Sequence, residues 1–231
     1  MYKNIKLTAS VMCIDWLRVS EQLVELENNF IDNIHYDIVD GVFASDFTMG
    51  SSIINSIKNR TRLKSDYHLM VEEPSKIFEM FEPDDDSLIY IHQESCRNLH
   101  RDLINLKRRG FKVGVALSPA TNLETLEYVL QDIDAALLMT VNPGFKGQEL
   151  VKQTIKKIAD LKKIINNMNL NIKITVDGNI NEKTIPDMIA AGGDMLVLGS
   201  SGLFRSDRTI GESCEIIKTA IDKGLNNNSY V

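Results

Sequence analysis

Short apolar runs recur along the chain with helix-length segments between them: IKLTASV, NIHYDIV, SDYHLMV, SLIYIH, KVGVAL, AALLMTV, IKITVDG and DMLVLGS. Each has the length of a buried strand. The intervening stretches carry the helical period. Within Lys152 to Leu170, Ile155, Ile158, Leu161 and Ile165 fall three or four apart with lysines on the opposite face, which predicts a surface helix packed on a sheet. The stretch from Ala120 to Gln131 has a similar pattern, and Thr121 followed by Glu124 matches a capping box at a helix start. Pro74, after Glu72 and Glu73, is placed to open another helix in its first turn.

Alternating strands and helices imply parallel strands joined by right-handed crossovers, and eight such units close into a single (β/α)8 TIM barrel of the α/β class. The chain's 231 residues suit one such barrel or two small domains. No linker rich in Gly, Pro or Ser divides it. The acidic run PDDDS, Pro83 to Ser87, reads as a solvated turn before a strand. The expectation is a barrel over residues 1–224 followed by a polar C-terminal tail, 225–231.

The composition, 43% hydrophobic and 25% charged, is that of an ordinary globular chain able to bury a full core. A net charge of −6 disfavours a nucleic-acid footprint but leaves room for a local anion site. Cys13, Cys96 and Cys214 are an odd set without CxxC spacing, so neither a disulfide framework nor a cysteine zinc site is indicated. The N-terminal MYKNIKLTAS has no apolar signal core, and no apolar run approaches the roughly 18 residues of a membrane span. A cytoplasmic protein that engages no membrane is expected.

In a barrel of this kind the C-terminal strand ends carry the active site. Those ends offer Ser10, His35 with Asp37, His68, His92 with Glu94, Ser118, Asn142, Asp177, and Ser200 with Ser201. His35 and Asp37 are two apart on a strand and project to the same side, and barrel closure brings His68 and Asp177 towards them. Two imidazoles and two carboxylates suit Zn²⁺, Fe²⁺, Mn²⁺ or Co²⁺ better than Ca²⁺ or Mg²⁺. Taken singly, each has a blander reading: a histidine satisfied by hydrogen bonds, or an aspartate capping the next segment, the reading that suits Asp40 best. Together they occupy one layer on three strands where packing alone would prefer Val, Ile or Leu.

Three glycine-rich loops follow late strands: NPGFKGQ (142–148), VDGN (176–179) and LGSSGLF (198–204). Loops after strands seven and eight commonly hold phosphate, because glycine lets backbone N–H groups approach and a short helix N-terminus adds positive potential. Gly178 and Gly199 serve that purpose or simply satisfy tight turns. The NPGFKGQ loop has the composition of a lid that excludes water, or of a static loop. Met12, Met70 and Met139, near strand ends, roof a reacting centre or fill the core.

These residues resemble a known family, the ribulose-phosphate 3-epimerases, from Thr8 to about Phe204. ASVMCID is similar to the family's opening strand with its serine at Ser10; IHYDIVDGVF resembles the second-strand signature; YHLMVEEP, VNPGFKGQ and ITVDG resemble the third, sixth and seventh. The resemblance implies a ribulose-phosphate-binding barrel, an isomerase that inverts carbon 3 of a phosphorylated ketose using one divalent metal and two aspartates. By position, His35, Asp37, His68 and Asp177 would hold the metal, and Asp37 and Asp177 would be the acid/base pair. Ser10, His68, Met70, Met139, Gly144, Phe145, Gly147, Gly178, Asn179, Gly199 and Ser200 would line the substrate site. The carbon-3 proton is acidic only because the carbonyl at carbon 2 takes up charge as an enediolate, and inversion needs one carboxyl on each face of that plane.

Departures from the family pattern leave the proposed ligands intact. Val42 stands where many relatives have histidine, Ser45 and Asp46 replace a Pro-Asn pair, and Ser118 replaces an asparagine. Asn179 replaces the second glycine of VDGG, which bears on the backbone of the phosphate loop. Lys146 puts a charge in the lid, either reaching a phosphate or, the favoured reading, pointing to water. SVMCID and SSGLF are closer to the allulose 6-phosphate 3-epimerase branch, and VNPGF to the ribulose 5-phosphate enzymes, so the substrate pair is D-ribulose 5-phosphate/D-xylulose 5-phosphate or D-allulose 6-phosphate/D-fructose 6-phosphate. Two alternatives stand beside this: a decarboxylase or aldol-type barrel, for which Asp37 and Asp40 lack the accompanying lysine, and a non-catalytic phosphate-binding relative. The family resemblance also allows a homo-oligomer, of an order the sequence does not give.

Overall fold

The computed structural model describes residues 5–81 and 83–227. All eight apolar runs form strands: β1 Lys6–Ser10, β2 Asn33–Val39, β3 Lys64–Met70, β4 Leu88–His92, β5 Lys112–Leu117, β6 Ala135–Met139, β7 Lys173–Asp177 and β8 Met195–Leu198. Each pairs in parallel with the next, and β1 pairs with β8, so the sheet closes into a barrel. Around it lie α1 Val19–Asn28, α2 Ser51–Lys58, α3 Pro74–Ile77, α4 Leu99–Arg108, α5 Gln153–Asn167, α6 Ile185–Ala190 and α7 Ile210–Leu225. The last helix ends one residue beyond the boundary expected at 224, and residues 228–231 of the expected tail lie outside the described residues. Among the described residues no helix is long and apolar enough to cross a membrane.

The two-residue period of each strand sorts its side chains between two environments. Outward residues such as Ile34, Tyr36 and Ile38 of β2, Tyr67 and Leu69 of β3, and Val113 and Val115 of β5 join Leu23 and Leu26 of α1 and Leu103 and Leu106 of α4 in one large apolar layer between sheet and helices. Every residue of β2 is buried, so its inward set, Asn33, His35 and Asp37, is enclosed as well. The inward residues of β4 to β6, Tyr90, Ala116, Ala135, Leu137 and Met139, form a second, smaller cluster inside the barrel.

Polar groups share that interior and satisfy one another across it. Thr8 Oγ1 donates to the Asp66 carboxylate at 3.2 Å, and the hydroxyls of Tyr90 and Thr175 are 2.6 Å apart. Gly114 makes room for the Tyr90 ring, since a Cβ at that position would lie 2.3 Å from Tyr90 Cδ1.

Three expectations are corrected. Residues 120–131 form two 3₁₀ turns, Leu123–Leu126 and Leu130–Asp132, in place of an α-helix. The Thr121–Glu124 capping box does not form, because Thr121 Oγ1 donates to Glu94, and Asn122 takes over the cap by accepting from the Glu124 amide at 3.2 Å. The helix expected to reach Leu170 stops at Asn167, and Asn169 turns the chain with φ +52°. After β8 the chain makes a tight turn. The amides of Gly202, Leu203 and Phe204 converge on Gly199 O, and Gly202 packs so closely on Ile180 O that a Cβ would lie 2.3 Å from it.

Candidate active site

The inward residues at the C-terminal ends of β2, β3 and β7 meet. His35, Asp37, His68 and Asp177 each offer one ligand atom, and these atoms lie within 4.8 Å of one another. His68 Nδ1 is 3.1 Å from Asp37 Oδ1 and 3.5 Å from Asp177 Oδ2, while His35 Nε2 is 3.4 Å from Asp37 Oδ1. The strand register accounts for part of this, since Asp37 is paired with His68 across β2 and β3. Ser10, at the end of β1, donates its hydroxyl to Asp37 Oδ2 at 2.6 Å.

His35, Asp37 and His68 are buried, and Asp177 is half-buried at the cleft. Burial opposes charge on Asp37, but the His35 and His68 imidazoles outweigh it and hold the carboxyl far below the usual carboxylate range. The reverse applies to the rings. Although burial lowers it, the Asp37 charge and hydrogen bonds to Asp37 and Asp66 hold His35 well above the ordinary imidazole value. His68 is raised as well, against burial, by Asp177 and Asp37.

His35 Nε2 is buried without a hydrogen-bond partner. Its other nitrogen, Nδ1, sits 3.1 Å from Asp66 Oδ2 and, since a carboxylate accepts, donates there, which leaves Nε2 as the nitrogen that faces the cluster. A buried, unpartnered ring nitrogen beside two carboxylates and a second imidazole is what a divalent cation would satisfy. The N₂O₂ donor set suits Zn²⁺, Fe²⁺, Mn²⁺ or Co²⁺.

Above the cluster lies a cleft open to solvent, lined by the loops that follow β1, β6, β7 and β8. Of the residues expected to touch substrate, all but His68 line it: Ser10, Met70, Met139, Gly144, Phe145, Gly147, Gly178, Asn179, Gly199 and Ser200. His68 is fully buried behind Asp37, so it does not face the cleft. Cys13 and Met12 line the cleft too.

The loops of the cleft are braced from within. Gln148 Nε2 donates to Asn142 O at 2.6 Å and Phe145 O at 3.0 Å, and Asn179 Nδ2 donates to Gln148 O at 2.6 Å, tying 142–148 to the end of β7. Asn179, in place of glycine, sits at φ +50°, a left-handed conformation that asparagine tolerates, so this departure keeps the turn. Gly178, at φ +115°, has no substitute, because a Cβ there would lie 2.9 Å from the Val141 amide nitrogen. Lys146 is exposed, as the sequence favoured, yet it lies at the rim of the cleft and makes no ion pair among the described residues.

Asp40 stays out of the cleft. Its Oδ1 accepts from the amides of Val42 and Phe43, both at 2.9 Å, and its Oδ2 from Glu72 at 2.8 Å, so it shapes the loop after β2 and links it to the loop after β3. Asp66 and Thr8 were not anticipated. The signal was present: Asp66 is two residues before His68 in SDYHLM, on the same inward face and one layer lower.

Residues 6–204 match the model of the ribulose-phosphate 3 epimerase family. The chain belongs to that family. Among curated ribulose-phosphate 3-epimerases it is 36% identical over 205 residues to that of Bacillus subtilis, covering 88% of this chain and 94% of the relative. It is 38% identical over 203 residues to that of Methanocaldococcus jannaschii, covering 88% and 86%. The barrel is also similar in fold to a solved 3-hexulose-6-phosphate synthase from Salmonella typhimurium, with a TM-score of 0.62 at 15% identity, covering 95% of this chain and all of that one. A second neighbour, KGPDC from Streptococcus mutans, has a TM-score of 0.64 at 10% identity, covering 96% and 99%. At such identities the likeness is one of fold alone.

Proposed function

We propose that the protein is a metal-dependent ketose-phosphate 3-epimerase in which Asp37 and Asp177 carry the proton on and off carbon 3. One observation supports this above the others: two carboxylates from β2 and β7 face one closed-ended cleft, 3.1 and 3.5 Å from a shared imidazole nitrogen, His68 Nδ1. Family membership supports the same reaction class.

The substrate's phosphate binds against Gly178, Gly199 and Ser200, where glycine backbone exposes N–H groups, and this remote anchor orients carbon 3. Asp37, kept ionised and fixed by the Ser10 hydroxyl, stands on one face of the sugar carbons and Asp177 on the other. One carboxylate takes the proton, leaving a planar enediolate; the other, protonated, returns one to the opposite face. Met70 and Met139 form an apolar wall beside the reacting carbons and keep water from exchanging with the carried proton. The chemistry supplied by a divalent ion held by His35, Asp37, His68 and Asp177 is electrophilic stabilisation of charge developing on the substrate's carbonyl oxygen.

The substrate is D-ribulose 5-phosphate/D-xylulose 5-phosphate or D-allulose 6-phosphate/D-fructose 6-phosphate, a difference of one CHOH unit. Deuterium uptake at carbon 3 in D₂O, measured side by side on ribulose 5-phosphate and allulose 6-phosphate with Zn²⁺-, Fe²⁺-, Mn²⁺- and Co²⁺-loaded protein, tests the reaction and ranks the sugars. Uptake into neither sugar with any of these metals rejects the epimerase reading.

A further inference from the structure

Lys146 is the one cationic side chain among the described residues that line the cleft, and the proton transfer set out above gives it no part. Two carboxylates, Asp37 and Asp177, line the same cleft, and the other lining side chains are neutral. A sugar phosphate brings nearly two negative charges of its own at neutral pH. A divalent ion held by the cluster would balance the carboxylates and leave the phosphate charge unmatched.

The phosphate loops do not supply that charge. Barrel phosphate sites commonly add the N-terminus of a helix to their glycine backbone. Here the chain after β7 enters α6 only at Ile185, and the chain after β8 enters α7 only at Ile210. No residue from the first turn of either helix lines the cleft, and a helix dipole fades within about one turn of its end. Gly178, Gly199 and Ser200 thus offer backbone N–H groups without a full positive charge beside them.

The lid can supply it. Asn179 Nδ2 donates to Gln148 O at 2.6 Å, which fastens the lid to the loop that carries Gly178. Lys146 is two residues from Gln148, so its backbone lies within about 7 Å of that contact. This distance is comparable with the reach of a lysine's flexible four-carbon stem. Gln148 Nε2 takes up the carbonyls of Asn142 and Phe145, while the Lys146 side chain is exposed and makes no ion pair among the described residues. Nothing within the loop holds the ammonium away from an incoming anion.

We propose that Lys146 is the phosphate-pairing residue of this site, closing from the lid onto a phosphate seated against Gly178, Gly199 and Ser200. It selects ketoses that carry a phosphate dianion over those that do not, and takes no part in moving the proton. The proposal rests on the epimerase reading for the sugar, though not for the anion.

The test compares the full-length protein with Lys146→Met, which keeps an unbranched apolar stem, and with Lys146→Arg, which keeps the charge. Lys163→Met, at an exposed position on α5 outside the cleft, controls for net charge. Titration with inorganic phosphate, followed by calorimetry, should show the dissociation constant rising about tenfold in Lys146→Met. Lys146→Arg should retain most of the affinity and Lys163→Met all of it. Raising NaCl from about 0.05 to about 0.5 M should narrow the gap between the parent protein and Lys146→Met, because an exposed ion pair is screened. For whichever ketose phosphate exchanges its carbon-3 proton, KM should rise by a similar factor in Lys146→Met, with kcat changing less. Phosphate binding and KM that are both unmoved in Lys146→Met overturn the proposal. A loss that Lys146→Arg shares in full and that salt does not narrow overturns it too, since it marks a structural role in the loop. If neither sugar phosphate exchanges yet phosphate affinity follows the charge at position 146, the epimerase reading fails and the anion site stands.

Discussion

Asp66 Oδ2 lies 3.1 Å from His35 Nδ1, one layer beneath the cleft, and neither side chain is exposed. The same carboxylate accepts from Thr8 Oγ1, so the floor of the site and the interior of the barrel are one hydrogen-bonded unit.

Asp66→Ala is therefore expected to be costly in two ways. It leaves a buried imidazole N–H and a buried hydroxyl without acceptors, a loss of about 2 to 4 kcal/mol for the pair. Thermal unfolding should drop by roughly 5 to 15 °C. His35, no longer oriented, should also hold Zn²⁺ at least tenfold more weakly by chelator competition. A parent-like melting temperature and affinity would contradict this account of the floor.

Asp37→Asn and Asp177→Asn should each lower carbon-3 exchange by three orders of magnitude or more while leaving far-ultraviolet circular dichroism unchanged. Asp40→Asn, which keeps one oxygen for the amides of Val42 and Phe43 but presents an NH₂ group to that of Glu72, should retain most activity and lose some stability. Exchange above a tenth of the parent rate in either of the first two would remove that residue from the acid/base pair.

The two lid-side glycines should respond differently to alanine. At Gly178 the backbone is at φ +115° and a Cβ would meet Val141 backbone at 2.9 Å; at Gly147 φ is +87° but no atom lies within 4 Å. Gly178→Ala is expected to destabilise by roughly 2 to 4 kcal/mol and Gly147→Ala by about 1 kcal/mol, compared by urea unfolding. Equal midpoints for the two would show that the Val141 contact yields.

Acid should erode stability through Glu94. Burial raises its carboxyl, yet hydrogen bonds from His92, Thr121 and Ser118 bring it down to about 2, below an ordinary glutamate. The folded state thus favours the ionised form, and the stabilisation is fully present above pH ~4.5 and lost as pH falls towards 2. Glu94→Gln should flatten the urea-midpoint profile over that interval relative to the parent protein. Parallel profiles would mean that Glu94 titrates alike in the folded and unfolded chains.

The eight strands were legible because each is buried on both faces over most of its length and reads as a short, mainly apolar run between helix-length segments. His35, Asp37, His68 and Asp177 were legible for the same reason: charge in that layer has no packing explanation. What escaped was what depends on barrel register. Nothing local in the sequence says that Asp66 meets Thr8, that Tyr90 meets Thr175, or that His92 stacks on His68. The segment after Pro119 misled because Thr121 has the spacing of a helix cap, but its hydroxyl is claimed by Glu94, a residue 27 positions away.

His35, Asp37, His68 and Asp177 sit on strands locked into the core, whereas the residues facing the far end of the cleft sit on loops 142–148 and 199–204, braced mainly by side-chain amides and turns. On the proposed function, proton-transfer chemistry and sugar length are therefore separable under selection. A library confined to those two loops, sparing Gly199 and Gly202, explores ketoses of different chain length at little risk to the barrel.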